Sequence, residues 1–396
     1  MENILTIIAE YNPLHFGHLY QLEESIKKVN PEYKIAIISG NFVQRGEPSI
    51  INKWEKTKIA LHYGFDLVIE LPTIYAISSA ENFAYGAISL ANQIGTTHLS
   101  FGSEIGEIDK LNKLLELIEN SKEFDEEVKN NIVKGFSYPK SQELAIEKLF
   151  NDDYKNICKP NNILGLEYLK SLKKINSSSS TIIEPITIKR NSNYNSSSQI
   201  REKIRNNLLD DDLLPDYCQD IIEENKNNGK IVYSLRIFEK EIIYTIRRLS
   251  IEKISEIPEV SENIIKKIYK AANSCNTVEE LIEKIKNKSI TQARIQRILL
   301  YILLNITKDD MEISKSETPY VRVLGMNEKG KKLLSKISNG NYNIVTSFKS
   351  YEKRCTNNNL QRLLEIDKFA TNVYTLAFEG NSESNLDYTT KLINID

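Results

Sequence analysis

Long apolar runs are missing from this chain, and so are closely spaced cysteines. No stretch approaches the roughly 18 uninterrupted apolar residues of a membrane-crossing helix, so no transmembrane segment is expected. At the N-terminus, Glu2, Glu10 and Asn12 break what would otherwise resemble a secretory leader. The cysteines, Cys158, Cys218, Cys275 and Cys355, stand too far apart for a zinc knuckle or a redox pair, and read as reduced thiols of a cytoplasmic protein. An excess of one charge is also lacking. Lys and Arg total 52 against 54 Asp and Glu, a net charge of -2, so any nucleic-acid site must be a local basic patch. With 40% hydrophobic residues over 396 positions, the chain can bury a large core and is long enough for two domains.

What is present has a clear order. "ILTIIAE" from Ile4 is a short β-branched run ending at Asn12-Pro13, which reads as a buried parallel strand. "KIAIISG", "FDLVIELP" and "THLSFGSE" repeat the pattern, with helical spacing between them. One of these helices is expected over "PSIINKWEKTKIALHYG", with Pro48 in its first turn and Gly64 at its end. Such alternation predicts an α/β fold with a doubly wound parallel sheet. Helices follow from about 105 to 174, one more strand near 181–188, and an almost wholly helical half from about 207, closed by a small mixed segment after Pro319. The acidic run Asp210 to Asp212 marks the soft boundary between the two halves.

Histidine is scarce, yet two of the four stand three residues apart, in "AEYNPLHFGHLYQL". In an open parallel sheet, ligands bind at the carboxyl ends of the strands, beside helix N-termini. This loop occupies that place after the first strand. His15 and His18 are then one turn apart on one helix face, aimed at an anion over free backbone N–H groups at the helix's positive end. Gly17 lets a phosphate or flat ring approach the backbone. His62 and His98 are read as plain structural residues.

The His15-Phe16-Gly17-His18 motif resembles that of the HIGH-type nucleotidylyl transferases. "SGNFVQRGEPSIINKWEKTKIALHYGFDLVIELP", "SAENFAYGA", "FGSE", "NNILGLEYLK", "TQARIQRILLYILL" and "YVRVLGMNEKG" together resemble the tRNA(Met) cytidine acetate ligase family over essentially the whole chain. The resemblance implies a Rossmann-like (HUP-type) catalytic domain over 1–206, with a helical insertion at about 105–160, and a mainly helical tRNA-binding domain over 207–396. It implies that ATP and acetate form acetyl-adenylate, and that the acetyl group passes to N4 of the wobble cytidine of elongator tRNA(Met). The nucleotide-binding stretch it implies is Ile7, Ile8, Ala9, Glu10, Tyr11, Asn12, Pro13, Leu14, His15, Phe16, Gly17, His18, Leu19 and Tyr20, with further contacts at Gly102, Asn162 and Arg190. "SSSQIR" resembles the Ser/Thr-x-Ile-Arg element that holds β- and γ-phosphates, which brings in Ser198; Gln199 stands where that element has a small residue.

The chemistry suits these residues. Acetate is a poor electrophile, and joining it to AMP supplies a leaving group, so the catalyst must chiefly position and neutralise anions. Plain structural uses of the same residues stay open: Gly102 as a tight turn, Asn162 as a helix cap, Arg190 with Lys189 as solvated charges, Ser198 as part of a cap. Gln44 and Arg45 follow the second strand and face the same edge, where Arg45 suits acetate, a tRNA phosphate or a salt bridge. Magnesium would arrive with ATP, with no protein metal cage. For tRNA, basic helices offer Arg247 and Arg248, Lys266, Lys267 and Lys270, Lys284, Lys286 and Lys288, and above all Arg294 and Arg297, one turn apart. An ordinary nucleotidylyl transferase acting on a small phosphate ester, and a non-catalytic nucleotide-sensing RNA-binding protein, are the rival readings.

Overall fold

The computed structural model describes residues 2–150, 159–179, 181–208, 212–338 and 343–396. Cys158 and most of the acidic run at 210–212 lie outside them. The first unit opens with β1 (Ile4–Ala9), α1 (Phe16–Val29) and β2 (Tyr33–Ser39), then a tight hairpin of β3 (Phe42–Val43) and β4 (Glu47–Pro48). It continues through α2 (Lys53–His62), β5 (Leu67–Leu71), α3 (Thr73–Ala76), α4 (Ala80–Gln93) and β6 (His98–Ser103). Four helices, α5 (Ile108–Asn120), α6 (Lys122–Val133), α7 (Tyr138–Leu149) and α8 (Pro160–Asn176), precede β7 (Glu184–Lys189) and α9 (Ser197–Arg205).

The helical part comprises α10 (Asp216–Asn227), α11 (Glu239–Arg248), α12 (Ile251–Ser255), α13 (Glu262–Ala272), α14 (Val278–Ile285), α15 (Gln292–Leu303) and α16 (Lys308–Ser316). Then come β8 (Val321–Met326), α17 (Glu328–Ile337), β9 (Ile344–Val345), α18 (Phe348–Arg354), α19 (Asn358–Thr375), α20 (Leu386–Thr389) and β10 (Ile393–Asn394).

The main sheet runs in the order β10-β8-β5-β2-β1-β6-β7, with β9 beside β8. Alternate residues feed its two faces: Ile4, Ile8, Ile35, Ile37, Leu67 and Ile69 enter one core, while Ile7, Ala36, Ile38 and Val68 enter the other. Covered on both sides, the strands carry the continuous apolar runs of a parallel sheet.

Two expectations change. The segment after Pro319 is no separate appendage: β8 pairs with β5, and antiparallel, so the sheet is mixed. The chain reaches β8 from α16, which lies at the carboxyl edge of the sheet, and so runs back against β5, while β9 and β10 lie parallel to β8. β8 and β10 thus complete the sheet of the first unit, and α19 packs on it, where Asp367 Oδ1 accepts from Thr73 N at 2.7 Å. The second change concerns α2, which starts at Lys53 and not near Pro48. Asn52 Oδ1 caps it, accepting from Trp54 N and Glu55 N at 3.0 and 3.1 Å. Pro48 belongs to the hairpin, opposite Phe42. Tertiary bonds hold the stretch between them extended: Ile50 N donates to Asn12 Oδ1 and Val232 N to Ile50 O.

Candidate active site

β1 ends where the chain must turn sharply, and Tyr11 adopts a left-handed φ of 44° before the cis Asn12–Pro13 bond. A buried lysine secures this corner. Lys56 Nζ donates to the carbonyls of Glu10 (3.1 Å), Ser39 (2.6 Å) and Gly40 (2.7 Å), tying the ends of β1 and β2 together. Burial pulls its pKa down to about 7.

The two histidines then cap α1 with their own rings. His15 Nδ1 accepts from Gly17 N at 3.1 Å, and His18 Nδ1 accepts from His15 N at 3.2 Å. This is a reciprocal capping box built from imidazoles. The amides of His15 and Gly17 are therefore occupied, which corrects the expectation of free N–H groups there. Gly17 also has a different reason from the one expected: a Cβ at this position would lie 2.9 Å from His15 Cε1, so glycine makes room for the folded-back ring. With Nδ1 accepting, each neutral ring carries its proton on Nε2 and offers one N–H donor.

The rings stay neutral. Burial, with the Arg190 charge adding to it, draws His15 down to about 4. Burial first, then His15 and Arg190, holds His18 well below the ordinary imidazole range. Their centroids lie 3.9 Å apart, and the edge of buried Tyr11 meets His18 at 5.0 Å. At His15 the native state thus refuses a proton that the unfolded chain takes up between about pH 4 and 6.5, so stability rises with pH through that window. In an NMR titration the His15 ring carbons should stay still from about pH 7.5 to 5.5, and a midpoint near the free imidazole value of about 6.5 would refute the neutral pair.

The rings face a cavity of about 1750 Å³ at the carboxyl edge. Of the run 7–20, the structure brings Ile8, Ala9, Glu10, Tyr11, His15, Gly17, His18 and Tyr20 to its wall. The others do not line it. Ile7 and Leu14 are packed in the core, Asn12 and Pro13 form the buried turn, Leu19 packs partly buried against the core, and Phe16 faces out beside Tyr194. Gly102, Arg190 and Ser198 line the cavity, and open space at Gly102 leaves only Gln21 Oε1, at 3.7 Å from a Cβ there.

Asn162 does not line it. It is fully buried and is the third residue of α8, not its cap. Its Oδ1 accepts from Glu104 N and Ile105 N at 2.9 and 3.3 Å, pinning the loop after β6, while its neighbour Asn161 lines the cavity. Ser196 caps α9, and Gln199 closes the capping box, which accounts for the larger residue before Ile200. Arg201, the arginine of the SSSQIR element, has no role assigned from the sequence, although it stands three positions after Ser198 and so on the same helix face. It is mostly buried, and its guanidinium donates to Asn12 O (2.8 Å), Ser198 Oγ (3.3 Å) and Glu47 Oε2 (3.5 Å).

The far wall is α15, and here the basic stripe is not free. Arg297 is spent in a bidentate pair with Glu259, at 2.9 and 2.7 Å, while Arg294 donates to Glu259 O at 2.6 Å. Both still line the cavity, with Glu259, which holds a left-handed φ of 61°. Lys288 is exposed, does not line the cavity, and its carbonyl accepts from Ser137 N. Arg247 closes on the carbonyls of Ala272 and Cys275, and Lys284 on Ser274, so these two are structural. His62 stacks on Tyr217 at 4.0 Å and His98 bonds Thr97, as plain structural residues do. Cys218, Cys275 and Cys355 are free and buried.

Comparison with known proteins agrees with this geometry. The family described as HIGH Nucleotidyl Transferase matches residues 2–389. A protein of Thermoanaerobacter sp. (strain X514) named tRNA(Met) cytidine acetate ligase is 40% identical over 99% of this chain and 100% of its own length. A protein of the same name from Caldanaerobacter subterraneus subsp. tengcongensis is 41% identical, over 99% of both chains. The crystal structure of Thermotoga maritima TmcAL bound with alpha-thio ATP superposes with a TM-score of 0.90 at 29% identity, over 99% of both chains. By fold, by the histidine motif at the head of α1 and by these likenesses, the chain belongs to the HIGH nucleotidyl transferases and, within them, to the tRNA(Met) cytidine acetate ligase family.

Proposed function

We propose that this chain joins acetate to the α-phosphorus of ATP, releasing pyrophosphate, and passes the acetyl group to N4 of the wobble cytidine of elongator tRNA(Met). The observation that carries this reading is the mutually capped imidazole pair. Two neutral N–H donors, fixed before substrate arrives, suit a phosphate on which charge grows during attack, because they need not reorganise. Arg190, close enough to lower both imidazole pKa values, supplies the full positive charge that the rings do not. Ile8, Ala9, Glu10, Tyr11, Gly102 and Ser198 are the further nucleotide contacts of this reading.

The cavity, at about 1750 Å³, exceeds the roughly 300–1,000 Å³ of an ordinary small-ligand site. It has room for a nucleotide and for a base splayed from an anticodon loop, which must leave its stack to reach the adenylate. We assign the tRNA to the helical wall, with Arg294 and the exposed Lys288 as its cations and Arg297 as the strut that presents Glu259. Magnesium would come with the triphosphate, held by its oxygens and water. No helix among the described residues is long and apolar enough to cross a membrane, and we place the reaction in the cytoplasm, with ATP and tRNA.

The test uses the protein with ATP, labelled acetate and bulk tRNA, followed by digestion to nucleosides. Label is expected in N4-acetylcytidine. ATP–pyrophosphate exchange that ignores acetate would instead mark an ordinary nucleotidylyl transferase. Tight tRNA binding with neither activity would leave an RNA-binding protein.

A further inference from the structure

The hairpin between β3 and β4 is held far more firmly than a surface loop needs. On one side, Gln44 N donates to Glu10 Oε1 at 2.9 Å. At its tip, Gly46 has a φ of 78° and packs so closely on α15 that a Cβ would overlap the backbone of Gln296 and Arg297. On the other side, Glu47 accepts from Gln296 Nε2 at 3.1 Å and meets Arg201 at 3.5 Å. Strand pairing, a backbone seat and three contacts to carboxylates therefore fix a turn that carries Gln44 and the exposed Arg45 at the cavity wall.

Arg45 has no hydrogen-bond or ion-pair partner among the described residues. Its charge is nonetheless felt by Arg201, whose pKa it helps to lower, after burial and against Glu47 and Glu10. Glu47 and Glu10 already offset the Arg201 charge, which leaves Arg45 as the exposed cation on this side of the cavity. Val43, two residues earlier and also at the cavity wall, supplies an apolar neighbour.

Strand order separates two cationic positions. Along β2-β1-β6-β7, Arg190 follows β7 and Arg45 follows β2, on opposite sides of the histidine pair that follows β1. In phosphoryl transfer the entering and leaving oxygens lie roughly in line through phosphorus. If pyrophosphate departs toward Arg190, the acetate oxygen must enter from the Arg45 side. We propose that Arg45, presented by the braced hairpin, binds the carboxylate of acetate and steers one of its oxygens to the α-phosphorus. That oxygen forms the new O–P bond, the bridging Pα–O bond breaks with its electron pair going to pyrophosphate, and no proton is transferred.

This inference rests on the acetate-activating function proposed above, and the experiment separates the two. Wild-type protein is assayed for ATP–pyrophosphate exchange without tRNA, with acetate and ATP varied in turn. Failure of wild-type exchange to depend on acetate would overturn the function itself. With that dependence present, Arg45→Gln should raise the KM for acetate about 10- to 100-fold, the usual loss for a charged hydrogen bond, and leave the KM for ATP and the Kd for tRNA unchanged. Arg45→Lys should recover part of the acetate affinity, because it restores the charge without the fork. Normal acetate KM with weakened tRNA binding would make Arg45 a contact to tRNA phosphate and overturn the proposal, as would a rise confined to the KM for ATP.

Discussion

Replacing His18 by alanine is expected to lower acetate-dependent ATP–pyrophosphate exchange by roughly 10²- to 10³-fold, the usual cost of losing one fixed donor at a developing oxyanion. The side chain has two duties, and the variant loses both. Its Nε2–H is one of the two donors, and its Nδ1 accepts from His15 N at 3.2 Å, completing the turn that orients His15. His18→Gln separates these duties. Glutamine at the third helical position can bond back to the cap amide, as in an ordinary capping box, and it retains an N–H donor. It should therefore keep roughly ten times more activity than the alanine variant. The Kd for tRNA should be unchanged in both. Equal loss in both variants, together with lost tRNA affinity and a lowered Tm, would mean that the pair only shapes the loop.

The second large effect is on stability. Lys53→Met should cost about 3–5 kcal/mol, because it strands buried carboxylates. Lys53 is fully buried. Its Nζ lies 3.0 Å from both oxygens of Glu70 and 2.7 Å from Asp387 Oδ1. Burial, opposed chiefly by the Lys53 charge, raises Glu70 to about 7. The native state therefore holds a proton that the unfolded chain releases above about pH 4.5. Stability from this group falls as pH rises from there to about 7. Without the ammonium the carboxylate is worse off still, so the loss should be larger at pH 8 than at pH 5.5, read by urea unfolding at both values. Lys53→Met with Glu70→Gln should recover part of it. A loss below about 1 kcal/mol at pH 8 would show that the cluster contributes little to stability.

Much of this protein is legible in order along the chain. The apolar β-branched runs fix β1, β2 and β5, as strands buried on both faces favour, while β6 is less apolar and buries Ser100 and Ser103. Histidine at the first and fourth places of a capped turn, directly after such a strand, locates the cavity at the carboxyl edge by topology alone. Gly102 near the end of β6, Arg190 after β7 and Ser198 in the first turn of α9 reach the cavity wall for the same topological reason.

Other features were decided only by distant parts of the chain meeting. Asn162 looks like a ligand contact or a cap, and becomes a buried clasp because the loop after β6 lies on α8. Arg297 looks like a free phosphate contact until Glu259, 38 residues away, takes its fork. Arg201 closes the SSSQIR element, but its bond to Asn12 exists only because α9 crosses to the turn after β1. The last segment reads as a small mixed close to the helical half, yet it supplies the antiparallel β8 of the first sheet. Local periodicity records which side of an element is buried, and the sequence by itself determined the strands and the cavity-facing histidine pair. It carries no record of which charged group a long side chain will meet, and that pairing, which separates a bound arginine from one left free for substrate, belongs to the tertiary structure alone.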